Sequence, residues 1–64
     1  MGKPFDDFRT YVEKIAKEFP EESESLFILY LSCGQEIDDG APVDETIYEY
    51  IAEIEDIIKQ LKNE

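Results

Sequence analysis

The sequence predicts an all-α fold: a compact three-helix bundle with helices at about 4–18, 20–33 and 44–62 and an acidic loop at 34–43. Three observations carry this. Apolar residues recur at spacings of three and four in the first and last stretches. Proline and glycine fall between the stretches rather than within the patterned runs, at Pro20, Gly34, Gly40 and Pro42. The chain is 64 residues long, so it is read as a single helical domain, 1–64. A chain of that size buries only ~60% of the surface its unfolded form exposes.

In the first helix, Pro4 suits a first-turn position, with Asp6 and Asp7 near the positive end of the dipole. Phe5, Phe8, Val12, Ile15 and Phe19 form a stripe that faces a core. Glu13 and Lys17 are placed as a favourable i,i+4 pair on the other side. Pro20 disfavours helical backbone at Phe19, so this helix should end near Glu18.

Pro20 can then begin the second helix, with Glu21, Glu22 and Glu24 near its start. The run "LFILYLSC" could be a buried strand. It has one β-branched residue, Ile28, and no alternation, so helix is preferred. Gly34 is expected to end it, with Ser32 and Cys33 in the last turn. Being apolar nearly all round, it should be the most buried element.

For the third helix Asp44 is expected as N-cap, with Val43 and Tyr48 forming a hydrophobic staple. Ile47, Ile51, Ile54, Ile58 and Leu61 make its stripe, broadened by Tyr50 and Ile57. Lys59 and Lys62 lie near the negative end of its dipole. The stripe also fits two heptads of a coiled-coil seam, but the first two helices need a surface to pack against, which favours an intramolecular core.

Several chemistries are disfavoured. Cys33 is the only cysteine and histidine is absent, which excludes an internal disulfide and the usual zinc sites. A calcium loop with Gly40 as its sixth residue places Ile37 third and Thr46 twelfth, and these are wrong ligands. Asp38 and Asp39 sit in a polar stretch where both should stay ionised, and no histidine base is present. Cys33 reads as a small buried hydrophobe rather than a nucleophile. No enzyme, metal or cofactor is expected. The lone cysteine and the lack of a signal-peptide pattern predict a reducing, cytoplasmic setting.

Charge is the strongest signal. Seventeen acids against six bases leave a net charge of −11. Residues 1–20 balance, whereas Glu21 to Ile58 holds twelve acids and no base. Such a chain repels nucleic acid and anionic membrane and is attracted to basic surfaces. Glu45, Glu49, Glu53 and Asp56 are spaced 4, 4 and 3, which makes one ridge beside the apolar stripe. Glu36, Asp38 and Asp39 extend it from the loop, and Tyr50, Tyr48 and Tyr30 are aromatic anchors within or beside it. A face kept acidic only for solubility is the plainer alternative.

The expected function is therefore a small acidic inhibitor that occludes a basic, nucleic-acid- or substrate-binding surface of a partner protein. The partner-binding residues would be Glu36, Asp38, Asp39, Glu45, Glu49, Glu53, Asp56 and Tyr50. Phage-type DNA-mimic inhibitors of host or defence nucleases are the class analogy, with no motif that identifies a family. The alternative is a helical adaptor or antitoxin-like regulatory subunit that binds, or homodimerises, through the apolar flank of the third helix.

Overall fold

A computed structural model describes residues 3–63. It contains α1 (Lys3–Glu18), a single 3-10 turn (Pro20–Glu22), α2 (Ser23–Asp38) and α3 (Val43–Lys62). Each helix packs on the other two, and no strand occurs among the described residues. The chain is an all-α three-helix bundle measuring 37 × 17 × 16 Å. Pro4 and Phe8 of α1 line a cleft with Ile47 and Tyr48 of α3, while Phe19 meets Leu61 at the other end. These contacts make α1 and α3 parallel, with α2 running back between them.

The two patterned stripes form the core. Phe5, Phe8 and Val12 of α1 meet Ile47 and Ile54 of α3, and Leu26 and Cys33 of α2 complete the cluster. Ile15, Leu29, Tyr30, Ile37, Tyr50, Ile51 and Ile58 pack against it half-buried. The Tyr30 ring stacks on Phe5, with centroids 5.1 Å apart, and on Phe8 at 6.1 Å. Tyr30 is thus a core residue rather than a surface anchor.

The first helix ends at Glu18, as the proline at position 20 requires. Pro20 opens a 3-10 turn instead of the second α-helix itself, and α2 begins at Ser23. On α1, Glu13 pairs with Arg9 at 3.1 Å, not with the expected Lys17.

The larger correction concerns the other end of α2. Gly34 does not stop the helix, which continues to Asp38. A side chain at Gly34 would meet Phe5, with an added Cβ only 3.1 Å from the Phe5 ring, so this glycine allows α1 to approach α2. The stop is Gly40, at φ 108°. Its N–H donates to the Ile37 carbonyl at 3.1 Å, and the Ala41 N–H donates to the Glu36 carbonyl at 3.0 Å. That pair of bonds is a Schellman motif with glycine at the left-handed position. The expected ten-residue loop shrinks to residues 39–42.

The start of α3 also differs. Pro42 is the N-cap, in extended conformation, and its carbonyl accepts the first helical bond from Thr46 at 3.0 Å. Asp44 lies in the first turn, and no side chain caps the helix. Its carboxylate still meets the positive end of the dipole. Val43 falls inside the helix and both it and Tyr48 are exposed, so they form no staple.

Nor is α2 the most buried element. It fully buries only Leu26 and Cys33. In a three-helix bundle each helix touches two neighbours and keeps one side outward. A helix apolar all round must then expose part of itself. Phe27, Ile28 and Leu31 are 44%, 56% and 66% exposed.

The Schellman geometry yields a stability prediction. Gly40→Ala has open space around it, with nothing within 4 Å of an added Cβ. It should nevertheless destabilise the fold by roughly 1 kcal/mol, through backbone strain alone. Urea denaturation checks this, and an unchanged midpoint contradicts the assignment.

Candidate acidic interaction surface

Eleven of the twelve acids between Glu21 and Ile58 are exposed, and Glu22 is half-buried. None of them takes part in an ion pair among the described residues, where the salt bridge is Arg9–Glu13. The acidic charge is therefore not used to tie the helices together.

The four ridge acids of α3, Glu45, Glu49, Glu53 and Asp56, are all exposed. At 3.6 residues per turn, Glu45, Glu49 and Asp56 point away from the side that carries Ile47, Ile54 and Ile58. The ridge therefore lies on the outer back of α3 rather than beside the apolar stripe. Glu53 departs from that line and leans toward α2, close enough for its charge to act on Tyr50.

Glu36, Asp38 and Asp39 sit at the end of α2 rather than along a long loop. Glu36 and Asp38 occupy the last turn of α2, and Asp39 is its C-cap. No base accompanies them there. Three carboxylates at the negative end of a helix dipole are each unfavourable by about 0.3–1 kcal/mol at low ionic strength. Gln35 offers only long contacts to the Asp39 carboxylate, at 3.4 and 3.5 Å.

One residue joins the α2 acids to α3. The Tyr50 hydroxyl donates a hydrogen bond to Glu36 Oε2. Tyr50 is half-buried against the core, so its ring anchors the α2–α3 seam while its oxygen reaches the surface. The hydrogen bond to Glu36, then burial, then the charges of Glu36, Cys33 and Glu53 push its phenol up to about 12. Tyr50 and Glu36 are thus coupled, with Glu53 beside them.

Cys33 is fully buried, and burial followed by the Glu36 charge pushes its thiol above the ordinary range. That environment favours the neutral thiol over the thiolate nucleophile. The stretch tested as a calcium loop is helical at both ends, with Thr46 buried inside α3. Among the described residues no group of three or more His, Cys, Asp or Glu side chains is placed to hold a metal ion.

Two features escaped the sequence reading. One is a cleft of about 410 Å³ between α1 and α3, where Asp7, Tyr11, Asp44 and Tyr48 surround an apolar floor of Phe8, Ile47 and Ile51. Its signal was weak, because Asp44 and Tyr48 had plausible local roles as cap and staple. The other is the exposed apolar side of α2. Its signal was present in "LFILYL", whose apolar residues exceed what one buried face can hold.

The Tyr50–Glu36 bond makes a titration prediction. The folded chain keeps the Tyr50 proton above the usual phenol value near 10, up to about 12. This group therefore contributes stability in full below pH 10 and loses it as pH rises toward about 12. Glu36→Gln should move one tyrosine's ultraviolet titration down toward 10. A titration curve identical to that of the native chain would remove the bond from the account.

Comparison with protein-family models, with curated proteins and with solved structures returned no match.

Proposed function

We propose that this chain is a small acidic inhibitor that binds a basic surface of a partner protein and occludes it, in the manner of a nucleic-acid mimic. The observation that carries this reading is the run of twelve acids without a base from Glu21 to Ile58, exposed but for one and free of ion pairs among the described residues. Charges in that state are available to steer and hold a basic partner. The mechanism is steric and electrostatic. Carboxylates along α3 and at the end of α2 occupy positions that phosphates or an anionic substrate would otherwise fill.

The partner-facing residues are Glu36, Asp38, Asp39, Glu45, Glu49, Glu53 and Asp56, with Tyr50 on the α2–α3 seam beside Glu36 and Glu53. Successive acids of the α3 ridge are about 5–6 Å apart. The partner is a nucleic-acid-binding or anionic-substrate-binding protein in the cytoplasm.

A second reading has its own observation in support. Phe27, Ile28 and Leu31 form an exposed apolar side, as an adaptor or antitoxin-like subunit would need. That side belongs to α2, whereas the sequence pointed to the flank of α3.

The test is capture of partners from the native host at low and high salt, read by mass spectrometry. The native chain should retain basic proteins that elute as salt rises. Replacing Asp38, Asp39, Glu45 and Glu49 by their amides should weaken capture about tenfold or more and flatten its salt dependence. Binding that survives high salt unchanged would sink the mimicry.

A further inference from the structure

We propose that the outer face of α2 is a docking surface for a basic amphipathic helix of the partner. Phe27, Ile28 and Leu31 are adjacent on one side of α2, and all three are exposed. Spacings of one, three and four residues make them a contiguous knob over one helical turn. Exposed apolar groups clustered in this way, within a polar border, mark an interaction surface.

The border decides the occupant. Glu24, Ile28, Leu31 and Gln35 follow one another at spacings of 4, 3 and 4, and Asp38 continues that line. Glu21 and Glu22 precede the patch, and Glu36 and Asp39 follow it. Neither the 3-10 turn nor α2 contains a lysine or arginine. The surface is an apolar centre with carboxylates at both ends.

A second copy of this chain fits that border poorly. Two-fold packing of α2 on α2 brings the Glu24 end of one copy to the Asp38 end of the other when the helices run antiparallel, and like ends together when they run parallel, so carboxylate meets carboxylate either way. It also joins two bodies of net charge −11. An anionic membrane meets the same repulsion. A helix with an apolar stripe at i, i+3/4 and i+7, flanked by lysine or arginine, matches both the centre and the border. The line from Glu24 to Asp38 is about 21 Å long, which suits a partner segment of roughly four turns.

This inference rests on the reading that the partner is basic, and it adds an apolar anchor to it. The test uses two synthetic helical peptides that share one leucine stripe, one flanked by lysines and the other by glutamates. Each is titrated into the full native chain, into Ile28→Ser/Leu31→Ser and into Asp6→Asn, an exposed acid of α1 away from both proposed surfaces. Thermal melts monitored by circular dichroism confirm that the variants remain folded. The lysine peptide should bind the native chain and the α1 variant within about twofold of each other, and the α2 variant about tenfold or more weakly. The glutamate peptide should not bind.

Equal binding of the lysine peptide to the native chain and the α2 variant overturns the anchor, while leaving the acidic-surface reading standing. Equal binding of both peptides overturns the basic partner as well. Failure of both peptides to bind overturns the docking surface. So does a concentration-dependent dimer in light scattering that Leu31→Ser abolishes, because a second copy would then cover the face.

Discussion

Seven side chains close this bundle: Phe5, Phe8, Val12, Leu26, Cys33, Ile47 and Ile54. They must hold three helices together against the self-repulsion of a net charge of −11. No disulfide is available, since Cys33 is a free, buried thiol. The rest of the structure follows from that constraint. Aromatic stacking of Phe5 and Phe8 on Tyr30 ties α1 to α2. Glycine at position 34 allows that approach, and the Tyr50–Glu36 bond closes the second seam. The α1–α3 seam is less completely filled, and a cleft remains there.

The placement of charge does not serve this core. Bases sit on α1 and at the end of α3, while α2 has none. Glu36, Asp38 and Asp39 oppose the dipole of α2, and the α3 ridge sets like charges at neighbouring positions. A small bundle would be steadier with some of these as lysine or amide. The exposed Phe27, Ile28 and Leu31 likewise stand outside the core cluster. Acidic border and apolar knob become consistent when a basic amphipathic element covers them together, which is the reading proposed above.

The fold was largely legible because two helices carry clean periodicity. The stripes Phe5–Phe8–Val12 and Ile47–Ile54 supply the buried apolar residues of α1 and α3, and only the buried Thr46 lies outside them. The terminators were less legible. Gly34 follows Cys33 and Gly40 follows Asp39, both plausible helix ends, and local chemistry alone does not say which takes the left-handed position. Packing decided it, because Phe5 lies against Gly34 and leaves the helix intact there. The same ambiguity moved Glu36, Asp38 and Asp39 from a supposed loop onto a helix end. Asp44 gave way as cap because Pro42, with its fixed φ, already caps the helix two residues earlier. Burial of α2 was misjudged because composition counts apolar residues without limiting how many neighbours can cover them. The candidate acids themselves were legible as exposed groups, but which face they share depended on where α2 ended.

The central claim is that the acids of α3 face outward for a partner and weaken the isolated fold. The urea midpoint of Glu49→Gln/Glu53→Gln at low salt tests this most directly. Removing like-charge neighbours should raise stability by a few tenths of a kcal/mol per pair, and the gain should fade as salt screens the native chain. A lower midpoint for the variant, at any salt, would mean that these carboxylates hold the bundle together, and would contradict the account.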